Sequence, residues 1–126
     1  MQHRGAIAIV EDDTGLNQAI VRLLQAAGFK PFAFTCAEEL LATDIASRVD
    51  CLVLDLHLPG ISGLELHHQL SQTGNSPPAI FITAHDDPKT RMQACTAGKY
   101  LVKPFVGQKL LQLIEATLTN AARVRA

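Results

Sequence analysis

Residues 51–63 read CLVLDLHLPGISG: an uninterrupted apolar run, Cys51 to Leu54, meets a carboxylate at Asp55 and then a turn built on Pro59, Gly60 and Gly63. A strand that short and apolar throughout is buried on both faces, the signature of a parallel sheet with helices on either side. The pattern repeats outward in both directions. Upstream, Ala6–Val10 (AIAIV) runs into Glu11 and Asp12; downstream, Ala79–Thr83 (AIFIT) ends on a hydroxyl and Tyr100–Val102 (YLV) ends against Lys103. Lys30–Phe34 is a weaker candidate strand.

Amphipathic stretches separate these runs. Leu16, Ile20, Leu23, Leu24 and Ala27 recur at helical spacing until Gly28, a natural C-terminal stop, and Asp13 with Thr14 caps their start. Thr35 with Glu38 has the form of a capping box, predicting a helix through about Ala46. A third helix begins near Ser62 and ends in the Gly74–Pro78 breaker cluster. Asp86 or Asp87 before Pro88 caps a fourth, which closes near Gly98. Pro104 opens the last, whose apolar face uses Leu110, Leu113, Ile114 and Leu118.

The expected architecture is therefore one α/β domain over residues 1–119, an open, doubly wound, five-stranded parallel sheet in three layers, with 120–126 a tail or the start of a linker. Right-handed crossovers put the carboxyl ends of all strands on one edge, where ligands bind at the point of reversed strand order. That edge collects Glu11, Asp12, Asp55, Thr83 and Lys103.

Carboxylates crowded together repel one another and take up protons or a cation. Magnesium suits them, since it prefers oxygen ligands and typically joins one or two carboxylates to a phosphate. Beside that ion Asp55, at a strand end, is the best placed nucleophile toward phosphorus. Lys103 reaches the phosphoryl oxygens as a point charge and Thr83 donates one hydrogen bond. Phosphoryl transfer needs little beyond such positioning and charge neutralisation.

Bulk properties narrow the function further. The chain has 126 residues, is 48% hydrophobic but only 5% aromatic with no Trp, and carries a formal charge of -1, so nothing draws it to nucleic acid or an anionic membrane. Cys36, Cys51 and Cys95 form no CxxC pair and read as buried thiols of a reducing cytoplasm. No apolar run has the length of a membrane span or signal peptide, which predicts a soluble cytoplasmic protein. His67 and His68 read as a solvated helix face.

The motifs IAIVEDD, LVLDLHLPGISG, IFITAH and YLVKPF, in this order and spacing, resemble the receiver domain of bacterial two-component response regulators over residues 5–119. The resemblance implies a flavodoxin-like fold with strand order 2-1-3-4-5 and a phosphorylation-dependent signalling switch. It places the phosphoacceptor on Asp55, and the metal-holding acidic pair on Glu11 and Asp12, with Asp12 the direct ligand. The backbone carbonyl of His57 would complete the protein's share of the Mg2+ shell, Thr83 would sense the phosphoryl group and Lys103 would bind it. Tyr100 matches an aromatic that swings inward with the threonine, and Lys103–Pro104 a peptide bond that is usually cis.

A sensor histidine kinase is the implied phosphodonor, with an output domain or effector protein, and a homodimer formed on phosphorylation, as further partners. TCAEELLA and ITAHDD are similar to FixJ-type regulators, which add a DNA-binding helix-turn-helix; the receiver itself is expected to touch no nucleic acid.

Two departures stand out. The segment joining Gly98 to YLVKPF is shorter than usual, which predicts an altered dimer or partner surface. His57 and His85 each lie two positions beyond a site residue, where the family tunes acyl-phosphate lifetime. Rival readings are an aspartate-nucleophile phosphatase, which would carry a second Asp where His57 stands, and a receiver-like module that signals without phosphate. A regulatory domain with no outside substrate, not an enzyme, is the favoured reading.

Overall fold

The computed structural model describes residues 4–125 apart from 75, 85 and 86, with side chains through Asn120. The five strands β1 (Ala6–Val10), β2 (Lys30–Phe34), β3 (Cys51–Asp55), β4 (Ala79–Thr83) and β5 (Lys99–Val102) form one sheet in the order β2-β1-β3-β4-β5. Every adjacent pair is parallel. Helices α1 (Thr14–Ala26), α2 (Ala37–Leu41), α3 (Gly63–Gln72), α4 (Pro88–Ala97) and α5 (Gly107–Arg125) cover it. The expected fold class and strand order are borne out.

The period of two in the strands explains why apolar runs are continuous. Ile7 and Ile9, Cys51 and Val53, and Ile80 and Ile82 point to one face, where Ile20 and Leu24 of α1 and Leu110 and Ile114 of α5 pack on them. Ala8 and Val10, Leu52 and Leu54, and Ala79 and Phe81 point to the other, against Leu40 of α2, Leu66 and Leu70 of α3, and Ala94 of α4. Both faces of the central strands must be apolar because both are covered.

Local signals set most element ends. Asp13 caps α1 through its carboxylate and the Leu16 N–H, Ser62 caps α3 through the Glu65 N–H, and Asp87 caps α4 through the Thr90 N–H with Pro88 following. Asp86, the alternative cap, lies outside the described residues. α1 ends in a Schellman arrangement: Gly28 takes φ 92°, its N–H donates to the Gln25 carbonyl, and the Phe29 N–H reaches back to the Leu24 carbonyl.

Other local expectations are corrected. The helix expected from the Thr35 and Glu38 pair begins only at Ala37, since the Thr35 hydroxyl and N–H both donate to Glu39 and not Glu38, and it stops at Leu41. Thr43 then donates its hydroxyl to the Leu40 carbonyl and accepts from the Ile45 N–H, breaking the helix before a short 3-10 turn at Ile45–Ser47. Pro104 follows a cis peptide bond and lies in the turn before α5, which starts at Gly107 and continues past Thr119. Of the three thiols only Cys51 is buried; Cys95 is exposed on α4 and Cys36 is half-buried. His67 is not simply solvated: its ring meets the edge of Phe81 with centroids 5.6 Å apart.

Candidate functional site

The carboxyl edge of the sheet collects the charged residues because β1, β3 and β5 all run the same way. Glu11 follows β1 and is fully buried; Asp55 closes β3 and is 4% exposed; Lys103 follows β5. The Lys103 ammonium lies 2.8 Å from Glu11 Oε1 and 2.9 Å from Asp55 Oδ2, bridging two buried carboxylates. Asp12 is exposed at the rim, and one oxygen from each of Glu11, Asp12 and Asp55 falls within 4.8 Å of the others.

Backbone groups fix both buried acids. The His57 N–H donates to Asp55 Oδ1 at 2.9 Å, and the Asp13 N–H to Glu11 Oε2 at 3.1 Å. The turn after Asp55 closes tightly because Gly63 starts α3 directly on that strand end; a Cβ there would collide with the Asp55 carbonyl oxygen. His57 itself is exposed over this turn.

The surroundings shift the two acids in opposite directions. Desolvation pushes Glu11 up to about 7, resisted by Lys103 and the Asp13 N–H and reinforced by Asp55. Desolvation also works to raise Asp55, but the His57 N–H and Lys103 outweigh it and hold the carboxyl below its ordinary value. Burial opposes the charge on Lys103, yet the two carboxylates raise its pKa. The metal-free site therefore keeps Asp55 ionised, Lys103 charged and a proton available to Glu11 near neutrality.

The donor set fits a hard divalent ion. All the side-chain ligand atoms are carboxylate oxygens. Glu11 Oε1, though near Lys103, has no aligned hydrogen bond among the described residues. Two buried acids that share one lysine, with an exposed acid beside them, suit Mg2+, which typically takes one or two carboxylates and keeps several waters.

Thr83 ends β4 fully buried, and its carbonyl accepts the Lys103 N–H at 2.7 Å, tying the ends of β4 and β5 together. Tyr100 stands opposite Phe81 in the register and is half-buried against the core on the α2, α3 and α4 side. His85 lies outside the described residues.

The chain matches the response regulator receiver domain family over residues 7–115. It belongs to that family. Nodulation protein W of Bradyrhizobium diazoefficiens is 35% identical over 90% of this chain and 51% of its own length. The solved structure of the response regulator StyR is 38% identical with a TM-score of 0.85, over 95% of this chain and 62% of that one. A response regulator receiver protein from Burkholderia phymatum is 37% identical with a TM-score of 0.78, over 92% and 96% of the two chains. The chain spans about half the length of Nodulation protein W, so that relative holds a further region beyond the match. Receiver domains of response regulators are regulatory and use Mg2+, and the acidic group is where this receiver could hold it.

Sequence reasoning missed Asn17. It lies in the first turn of α1, 6% exposed, and its side-chain nitrogen donates to the Glu11 carbonyl at 3.0 Å and the Phe34 carbonyl at 2.9 Å. The available signal was its position: Asn17 sits with Ile20 and Leu24 on the buried stripe of α1, where an amide is out of place.

Proposed function

We propose that this receiver is a phosphorylation-dependent switch in which Asp55 accepts a phosphoryl group from a sensor histidine kinase. The observation that carries the reading is the state of Asp55: buried, held ionised by the His57 N–H and Lys103, and within ligand reach of Glu11 and Asp12. Glu11, Asp12, Asp55 and the His57 carbonyl are the residues that would hold Mg2+. When bound, the ion neutralises charge on the transferring phosphoryl oxygens.

In the transfer a carboxylate oxygen of Asp55 attacks phosphorus, the P–N bond of the phosphohistidine breaks, and the imidazole leaves with its electron pair. Lys103 exchanges part of its pairing with Asp55 for the new phosphoryl oxygens, and the Thr83 hydroxyl donates to one of them. Movement of Thr83 is passed to Tyr100 and the face around β5, which an output domain or effector protein reads. The unmatched half of Nodulation protein W supports an output region in such regulators. We place the receiver at 1–119, in the cytoplasm, with no outside substrate and no direct contact with nucleic acid.

Gly98 alone joins α4 to β5, and that short join supports an altered dimer or partner surface. Sedimentation of the phosphorylated domain tests this; ordinary dimerisation through the β5 face would count against it. His57, where a phosphatase of the haloacid-dehalogenase type would have a second Asp, favours the switch over the enzyme. The test of the main reading is incubation with acetyl phosphate and Mg2+, followed by intact-mass measurement. One stable addition of HPO3, absent in Asp55→Asn and after chelation, is expected. Labelling of Asp55→Asn as readily as wild type would refute the assignment, and rapid multiple turnover would favour the phosphatase.

A further inference from the structure

We infer that Asn17 is a positioning residue for the metal ligands, holding the acidic loop in its binding shape before the ion arrives. This rests on the Mg2+ reading above and extends it to a residue that touches neither metal nor phosphate.

A buried amide in the first turn of a helix is costly, because Asn forms helices poorly and its polar atoms must be matched. Both hydrogens of this amide nitrogen are used, on two main-chain carbonyls from different strands: Glu11 after β1 and Phe34 at the end of β2. The Phe34 carbonyl also receives the Glu11 N–H at 3.1 Å. Asn17 thus pins the strand end from which the acidic loop departs.

The peptide that it grips runs from Glu11 to Asp12. Asp12 is exposed, so the direction of its carboxylate depends on how that peptide is held. The next hold comes at Asp13, whose N–H goes to Glu11 Oε2, whose side chain caps α1, and whose carbonyl accepts the Asn17 N–H at 2.9 Å. Asn17 therefore fastens the loop at both ends, by its side chain at Glu11 and by its backbone at Asp13. Such fastening matters because Lys103 pairs with Glu11 and Asp55, whereas Asp12 at the rim lies within 4.8 Å of both and is repelled by ionised Asp55 unless its loop is held. No apolar residue of this size can replace it, since the Glu11 carbonyl would lose the Asn17 amide and the Phe34 carbonyl would keep only the Glu11 N–H. Aspartate would present them with an acceptor instead.

The test compares wild type, Asn17→Ala and a remote control, Thr117→Ala. Thr117 is also buried, and its hydroxyl donates to the Leu113 carbonyl in α5. Calorimetry should show Mg2+ affinity falling about tenfold in Asn17→Ala, the lower end of what losing a supporting hydrogen bond does to a metal site. Thr117→Ala should bind as wild type. At saturating Mg2+ the rate of labelling by acetyl phosphate in Asn17→Ala should return to within about twofold of wild type, because Asn17 acts through the ligands and not on the phosphoryl group. Equal Mg2+ affinity in Asn17→Ala and wild type, or equal losses in both variants, would overturn the inference.

Should Asn17→Ala not fold, the wild-type side-chain amide still decides. Its two proton resonances should be slow to exchange with solvent without metal and should shift as Mg2+ is titrated. Fast exchange without metal would overturn the inference. Failure of wild type itself to bind Mg2+ would refute the underlying metal reading, a separate result from either outcome for Asn17.

Discussion

Magnesium should have to displace a proton to enter this site, and that makes its affinity depend on pH in a calculable way. Burial pushes Glu11 up to about 7, whereas Asp55 is held low by the His57 N–H and Lys103, so the displaced proton belongs to Glu11. With that value the carboxyl is about nine-tenths protonated at pH 6 and about one-tenth at pH 8, and apparent affinity should rise about tenfold between them. Calorimetry in buffers of different ionisation enthalpy should find about one proton released per Mg2+ at pH 6 and almost none at pH 8. Glu11→Gln should flatten the profile and bind more weakly. Wild-type affinity independent of pH from 6 to 8, or an unchanged slope in Glu11→Gln, would refute the reasoning.

The same groups set the stability of the metal-free domain. Because the folded pKa of Glu11 is raised above its ordinary 4.5, its contribution is complete below 4.5 and is lost as pH climbs through about 7. That of Asp55, whose pKa is lowered, is present above its ordinary 3.8 and is lost as pH falls through the depressed value. Metal-free stability should therefore peak in mild acid, and saturating Mg2+ should move the maximum toward neutrality.

Three further outcomes test the packing. Gly63→Ala must push a methyl into the Asp55 carbonyl, and urea unfolding should show a loss of about 1–3 kcal/mol; wild-type stability would mean that the turn yields freely. Phe81→Ala, emptying a fully buried position beneath His67, should lower stability by about 3–5 kcal/mol with little change in slope. A maleimide should modify exposed Cys95 in the native protein but reach Cys51 only on unfolding, since Cys51 is fully buried and its thiol is pushed up to about 12. Adduct mapping by mass spectrometry reads this directly.

Where local chemistry sufficed, element ends were legible in the chain. Gly28 had to stop α1 because it alone tolerates the positive φ there, and Asp13, Ser62 and Asp87 cap helices through contacts three residues away. The second helix was overextended because Thr35 had a choice between Glu38 and Glu39, one residue apart, and sequence does not rank such neighbours. Cys95 and His67 were misjudged for a related reason: composition assigns average burial, but the side of α3 or α4 that meets the sheet depends on how the whole layer packs.

The sequence by itself determined the fold class and which residues gather at one sheet edge, since continuous apolar strands alternating with amphipathic helices leave parallel strands with a common carboxyl end. Only the tertiary structure decided that Lys103 bridges Glu11 and Asp55 and that Asn17 braces their loop. It also divided the acids into one pushed up to about 7 by burial and one held below its ordinary value. These properties arise from distances and burial between segments far apart in the chain, and a carboxylate's charge answers to those surroundings more than to its neighbours in sequence.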